Sequence, residues 1–119
     1  MTSEELKKGF KVYAIENARL IQDLPQSIIN VAYSRQLVRS SSSPGTNYRS
    51  ALRGRSTADF INKLKVVEEE LDETVCFLEL IQEFNPKLKE RITVLIKEGN
   101  ELLAITVASI KTSRSRISS

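Results

Sequence analysis

Apolar side chains recur at intervals of three and four along almost the whole chain, the spacing that keeps one face of an α-helix dry. Leu6, Phe10, Tyr13, Asn17, Leu20, Ile21 and Leu24 make the first stripe. It opens at Thr2-Ser3-Glu4-Glu5, where Thr2 is placed to accept the Glu5 amide and Glu5 to reach back, and it closes before Pro25. A helix over roughly residues 3–24 follows. A third stripe, Phe60, Leu64, Val67, Leu71, Thr74, Val75, Leu78 and Ile81, starts after the capping residues Ser56 or Thr57 and ends before Asn85-Pro86. Pro86 suits the first turn of a fourth helix, whose stripe is Leu88, Ile92, Leu95, Gly99, Leu102, Leu103, Thr106 and Ile110, ending near Lys111.

The second segment, roughly 26–54, is harder because it contains Pro44-Gly45. On a continuous helix Leu37, Val38, Ser41, Gly45, Tyr48 and Leu52 share one arc, and Arg35, Arg39, Thr46, Arg49 and Arg53 share another. Both faces keep their register across the proline, which favours a kink, and the Ser40–Ser43 hydroxyls are placed to bond the carbonyls that Pro44 leaves free. A break at Pro44 is the alternative. Connections of two to four residues force antiparallel neighbours, so the expected fold is all-α: an antiparallel up-down four-helix bundle with a long, kinked second helix. The bundle is expected over residues 1–112, followed by a mobile basic Ser/Arg tail at 113–119 that carries no stripe.

Composition agrees with one soluble domain: 40% apolar and 28% charged residues, with only four glycines and three prolines in 119 residues. The N-terminus lacks the pattern of a signal peptide and no run approaches the ~18 apolar residues of a membrane span, so a cytoplasmic protein without membrane contact is expected. Charge changes the picture more. The net charge of +3 divides into 0 over residues 1–23, +5 over 24–58, −6 over 59–85 and +4 over 86–119. Between Asp23 and Asp59 there is no acid, and the only charges are Arg35, Arg39, Arg49, Arg53 and Arg55.

Catalytic chemistry finds little support. With no histidine and Cys76 as the single cysteine, neither a Cys/His zinc site nor an intramolecular disulfide is possible. Di-iron bundles need Glu-x-x-His pairs, so Glu68, Glu69, Glu70, Asp72 and Glu73 read as an acidic face. The serines have no histidine base and no P-loop exists. No enzyme, cofactor or metal is expected.

The arginines are the binding candidates. Arg35 to Arg53 spans about 27 Å of helix, enough to meet several phosphates, and guanidinium groups bind phosphate oxygens bidentately. Arg55, Lys111, Arg114 and Arg116 extend this set. Such contact reads backbone shape and charge more than base sequence. The competing reading has the acidic third helix pair with the same arginines. Val66, Phe77 and Leu80 on the third helix, with Val94 and Ile105 on the fourth, are displaced from the main stripes; they fit either a wide core or a subunit interface.

Three stretches carry a family resemblance: Gln36-Leu37-Val38-Arg39-Ser40-Ser41-Ser42-Ser43-Pro44-Gly45-Thr46-Asn47-Tyr48-Arg49, Arg55-Ser56-Thr57-Ala58-Asp59-Phe60-Ile61-Asn62-Lys63-Leu64 and Val67-Glu68-Glu69-Glu70-Leu71-Asp72-Glu73-Thr74. Over this half of the chain it resembles the four-helix bundle proteins related to the 23S rRNA intervening-sequence protein. The resemblance implies an antiparallel four-helix protomer with a long, bent second helix, commonly assembled as a homopentamer. It also implies relatives that include a nucleic-acid-binding accessory protein of retroelements; it does not imply a ribosomal structural component. Pro44, and Tyr48-Arg49 after Asn47, depart from the usual pattern. Two functions are expected from residues and resemblance together: an oligomeric protein binding RNA or DNA, or an interaction scaffold whose basic face docks an acidic or enzyme partner.

Overall fold

The computed structural model describes residues 1–118. Four α-helices account for nearly all of them: α1 Ser3–Asp23, α2 Ile28–Leu52, α3 Thr57–Phe84 and α4 Lys89–Ser118, with a 3-10 turn at Pro86–Leu88 leading into α4. Each helix packs antiparallel on its neighbour in sequence, and α1 closes the square against α4. The result is a slender up-down bundle of 51 × 21 × 21 Å.

Local chemistry sets the helix ends. The Thr2 hydroxyl accepts the Glu5 amide at 3.1 Å, and the Glu5 carboxylate reaches back to that hydroxyl rather than to the Thr2 amide. Ser27 caps α2 by accepting the Asn30 amide at 3.0 Å, which moves the start of α2 past the expected residue 26. Ser56 does the same for α3 through Asp59, and the Asp59 carboxylate accepts the Arg55 amide.

The stripes became the core. Leu6, Phe10, Tyr13, Leu20, Leu64, Leu71, Leu78, Ile81, Ile92 and Leu95 are buried, and burying each such side chain contributes about 1.5–3 kcal/mol. On α2 the buried side is Leu37, Ser40, Ser41, Pro44, Tyr48 and Ala51, while Val38 and Leu52 from the expected arc are exposed.

α2 runs through Pro44 without a break. The serines do back-bond, but one turn earlier than expected: Ser40 to the Leu37 carbonyl, and Ser41 and Ser42 to that of Val38. The carbonyl that Pro44 deprives of an amide is that of Ser40, so the hydroxyls do not replace the missing bond. What carries the proline is packing: Pro44 is itself buried, and a Cβ on Gly45 would lie 3.4 Å from Phe10 Cβ, so the small residue brings α1 close. Across the other side, Thr74 Oγ1 donates to Ser40 Oγ at 3.0 Å and joins α3 to α2.

Two buried polar groups tie the far end. Asn30 and Asn85 exchange side-chain amide bonds of 2.9 and 2.8 Å, and each amide's second hydrogen goes to a backbone carbonyl, Pro25 and Ile81 respectively. By contrast, the Tyr13 hydroxyl and Asn17 Oδ1 are buried without a hydrogen-bond partner among the described residues. Burial holds the Tyr13 phenol above its ordinary pKa. That hydroxyl lies over Gly99, where a Cβ would overlap it.

The end of α4 differs from expectation. Instead of stopping near Lys111 it continues to Ser118, and Ser113, placed in the mobile tail by sequence, is buried. A small hydroxyl on the inner face carries no apolar signal, so the apolar stripe ends at Ile110 while the helix runs on. Ser119, the last residue of that tail, lies outside the described residues.

Candidate nucleic-acid interface

The outward face of α2 presents Arg35, Arg39, Arg49 and Arg53, all exposed. Their environments differ. Arg39 is claimed by α3: it donates to Glu73 at 2.6 Å and to both oxygens of Glu70 at 3.0 and 3.2 Å. The Glu73 hydrogen bond, followed by the charge of Glu70, raises the Arg39 pKa above its ordinary value. Arg35, Arg49, Arg53 and Arg55 form no ion pair among the described residues. The competition between α3 and a polyanion for these arginines thus goes to α3 at one position.

The topology then sorts them. In an up-down bundle the end of α2, the start of α3, the end of α4 and the start of α1 share one end of the molecule. Arg49, Arg53 and Arg55 therefore stand at the same end as Lys111, Arg114 and Arg116, all exposed. The continuation of α4 past Lys111 holds Arg114 and Arg116 on a helix. Lys8, Lys63 and Lys65 are exposed at that end too, and sequence reading did not single them out. Only the antiparallel order of the helices reveals them, because in sequence they lie inside neutral or acidic segments.

Three acids share this end and each is engaged locally. Glu4 pairs with Lys7 at 2.9 Å, Glu5 serves the α1 cap and Asp59 accepts the Arg55 amide. Among the described residues Arg49, Arg53, Arg55, Lys111 and Arg114 form no ion pair. Arg35 stands apart, 14 residues or about 21 Å along α2 from Arg49, among apolar neighbours.

Of the residues assigned to subunit contact, Val66, Leu80 and Val94 are exposed, at 37%, 38% and 54%. Phe77 and Ile105 are half-buried against the core, and the Phe77 ring also packs on that of Tyr33 in a tilted arrangement, 6.0 Å between centroids. Cys76 is exposed. Between α1 and α4, burial together with the negative charges of Glu16 and Glu101 pushes the Glu98 carboxyl above its ordinary range. Among the described residues no cluster of three or more Cys, Asp and Glu is placed to hold a metal ion, and no helix is long and apolar enough to cross a membrane.

No family model and no curated protein matches the chain. Among solved structures, a Bacteroides thetaiotaomicron protein with unknown function from the S23 ribosomal protein family is similar to it. The two superpose with a TM-score of 0.79 and are 27% identical, over 89% of this chain and 98% of that one. The chain is therefore a small four-helix protein with a distant likeness to a solved member of that family, itself of unknown function.

Proposed function

We propose that this chain is a non-enzymatic, homo-oligomeric protein of the kind related to the 23S rRNA intervening-sequence protein, and that it binds RNA or DNA by its phosphate backbone. The observation that supports this most is at the basic end. Arg49, Arg53 and Arg55 are exposed, make no ion pair among the described residues, and share that end with Lys111 and Arg114. Pentameric assembly, implied by the resemblance, would repeat this weak patch and raise avidity for a long polyanion. Exposed Val66, Leu80 and Val94 supply apolar surface for such contacts. The likeness to the solved Bacteroides protein supports the family reading.

The test is the salt dependence of binding. Anisotropy of labelled RNA and duplex DNA between about 50 and about 200 mM salt gives a log–log slope of roughly 0.9 per phosphate neutralised on duplex DNA. Substituting Arg49, Arg53 and Arg55 together with alanine should flatten it by two to three such steps, ~2–3 units. Absence of binding to either nucleic acid at about 50 mM salt, where backbone contact is strongest, refutes the reading. A protein-docking role is favoured by one separate observation, the apolar setting of Arg35.

A further inference from the structure

The outer side of α2 changes character along its length. Ile28, Val31, Arg35 and Val38 follow at steps of three, four and three, and at 100° per residue they fall within an arc of about 80° facing away from the Leu37 and Tyr48 core side. The three apolar members are 88%, 37% and 44% exposed. This is the spacing of a helix-packing seam, apolar at three positions with one charge inside it. It covers three turns, about 15 Å.

The seam borders two hollows. One, of about 280 Å³, lies between Ile21, Leu24 and Pro25 at the end of α1 and Val31, Arg35 and Val38 on α2. The other, of about 550 Å³, spreads over Ile28, Val31 and Arg35 on the outer face of α2. Arg35 lines both and, among the described residues, is the only charged side chain in either.

We infer that this α1–α2 groove docks an amphipathic helix of a protein partner, with apolar side chains at heptad spacing and a carboxylate set opposite Arg35. Covering the groove removes the guanidinium from water, which costs free energy unless an anion meets it there. Among the described residues no acid lines either hollow. No acid occurs from residue 24 to residue 58, and Asp23, the nearest in sequence, is held by Arg91 at 2.7 Å. The carboxylate must come from the partner. A nucleic-acid backbone would satisfy Arg35 but leave Ile28, Val31 and Val38 in water, whereas an apolar helix face covers them. A strand has no place to pair, because the groove walls are helices whose amides are bonded internally. A single charge inside an otherwise apolar seam also fixes register and partner choice. This inference does not rest on nucleic-acid binding, which concerns the opposite end of the bundle.

The experiment is a charge swap. The probes are two labelled helical peptides of four heptads with leucine at the a and d positions, one with glutamate and one with lysine at a central a position. Each is titrated by anisotropy into the wild-type protein and the Arg35→Glu variant at about 150 mM salt, a level that screens all but close charge pairs. Arg35 is exposed, so Arg35→Glu should keep the parent's circular dichroism. The expected result is binding of the glutamate peptide to the wild type, weakened at least about tenfold by Arg35→Glu, with the lysine peptide preferring the variant by a similar factor. Binding that ignores the swap, or no binding of either peptide, overturns the inference. So does conversion of an oligomer to a monomer by Ile28→Asp in a sedimentation run, which assigns the groove to a second copy of the chain. RNA that displaces the peptide from the wild type, and itself binds more weakly to the Ile28→Asp variant, also overturns it.

Discussion

Replacing Gly99 with alanine should destabilise the bundle, and removing the Tyr13 hydroxyl should undo most of the damage. Gly99 sits in the middle of α4, where alanine ordinarily gains about 1 kcal/mol over glycine. Here a Cβ would overlap the Tyr13 hydroxyl and come within 3.2 Å of Tyr13 Cζ and 2.9 Å of Val75 Cγ2. The ring has nowhere to withdraw, being 2% exposed between α1 and α4. Overpacking of this kind costs about 1–3 kcal/mol, enough to reverse the propensity gain. Set against the propensity gain, this leaves a net loss of up to about 2 kcal/mol, a fall in Tm of up to roughly 8 °C for a domain of this size. Tyr13→Phe alone should be neutral or stabilising by up to about 1–2 kcal/mol, since the hydroxyl it deletes is buried without a hydrogen-bond partner among the described residues. In the double variant the worst overlap is gone, and a shift of a few tenths of an ångström accommodates the rest. Urea denaturation of the four proteins should show a favourable coupling of at least about 1 kcal/mol. Additivity within about 0.5 kcal/mol, or a Gly99→Ala protein as stable as its parent, would refute the reasoning.

Four further outcomes are expected. Glu98→Gln should raise Tm at pH 7. The folded-state pKa of Glu98 lies above its unfolded value, so the parent loses stability as pH rises through that window, and the variant's advantage, below about 1 kcal/mol after screening, should vanish at lower pH. Asn85→Ala leaves Asn30 with a buried amide hydrogen and carbonyl unmet and should cost about 1–3 kcal/mol in urea melts, more than Asn30 and Asn85 together replaced by leucine. Pro44→Ala returns an amide to the Ser40 carbonyl; despite a small cavity it should stabilise by about 1–2 kcal/mol, and a lower Tm would contradict this account of α2. Arg39→Ala should leave the salt slope of nucleic-acid binding unchanged while Arg49→Ala lowers it, because Glu70 and Glu73 already hold Arg39.

The apolar stripes carried most of the fold. Leu6 to Leu20, Leu64 to Ile81 and Ile92 to Ile110 lie on the buried faces that a period of 3.6 assigns, because burial is the same physical requirement that wrote the pattern. Where the inner face is polar the signal disappears. Ser113 extends α4 unannounced, and Ser40, Ser41 and Asn30 are three of the seven buried residues of α2, of types common on surfaces. The candidate site was legible only as a list of arginines. Dividing them needed cross-helix geometry: Arg39 beside Glu70 and Glu73, Arg49 and Arg53 beside the end of α4, Arg35 among apolar side chains. The seam Ile28, Val31, Arg35 and Val38 was readable by its spacing, but the core stripe on the same helix masked it.

The closing seam between α1 and α4 has consequences for motion as well as for packing. Every other helix pair is adjacent in sequence, so this is the one contact that must be formed across the length of the chain, and loop closure makes such contacts late and slow to form. It also carries an unmatched phenol at Tyr13 and the carboxylates of Glu16 and Glu98 on its rim, and is held at one end by the exposed Arg91–Asp23 ion pair. Amide exchange should therefore find α1 opening as a unit while α2 and α3, joined by Ser40–Thr74 and Asn30–Asn85, stay protected to the global limit. Peeling α1 away would dismantle one wall of the Arg35 groove and leave the basic residues of α2, α3 and α4 in place. Fluctuations of a single helix would thus switch the proposed docking groove off and spare the proposed basic interface.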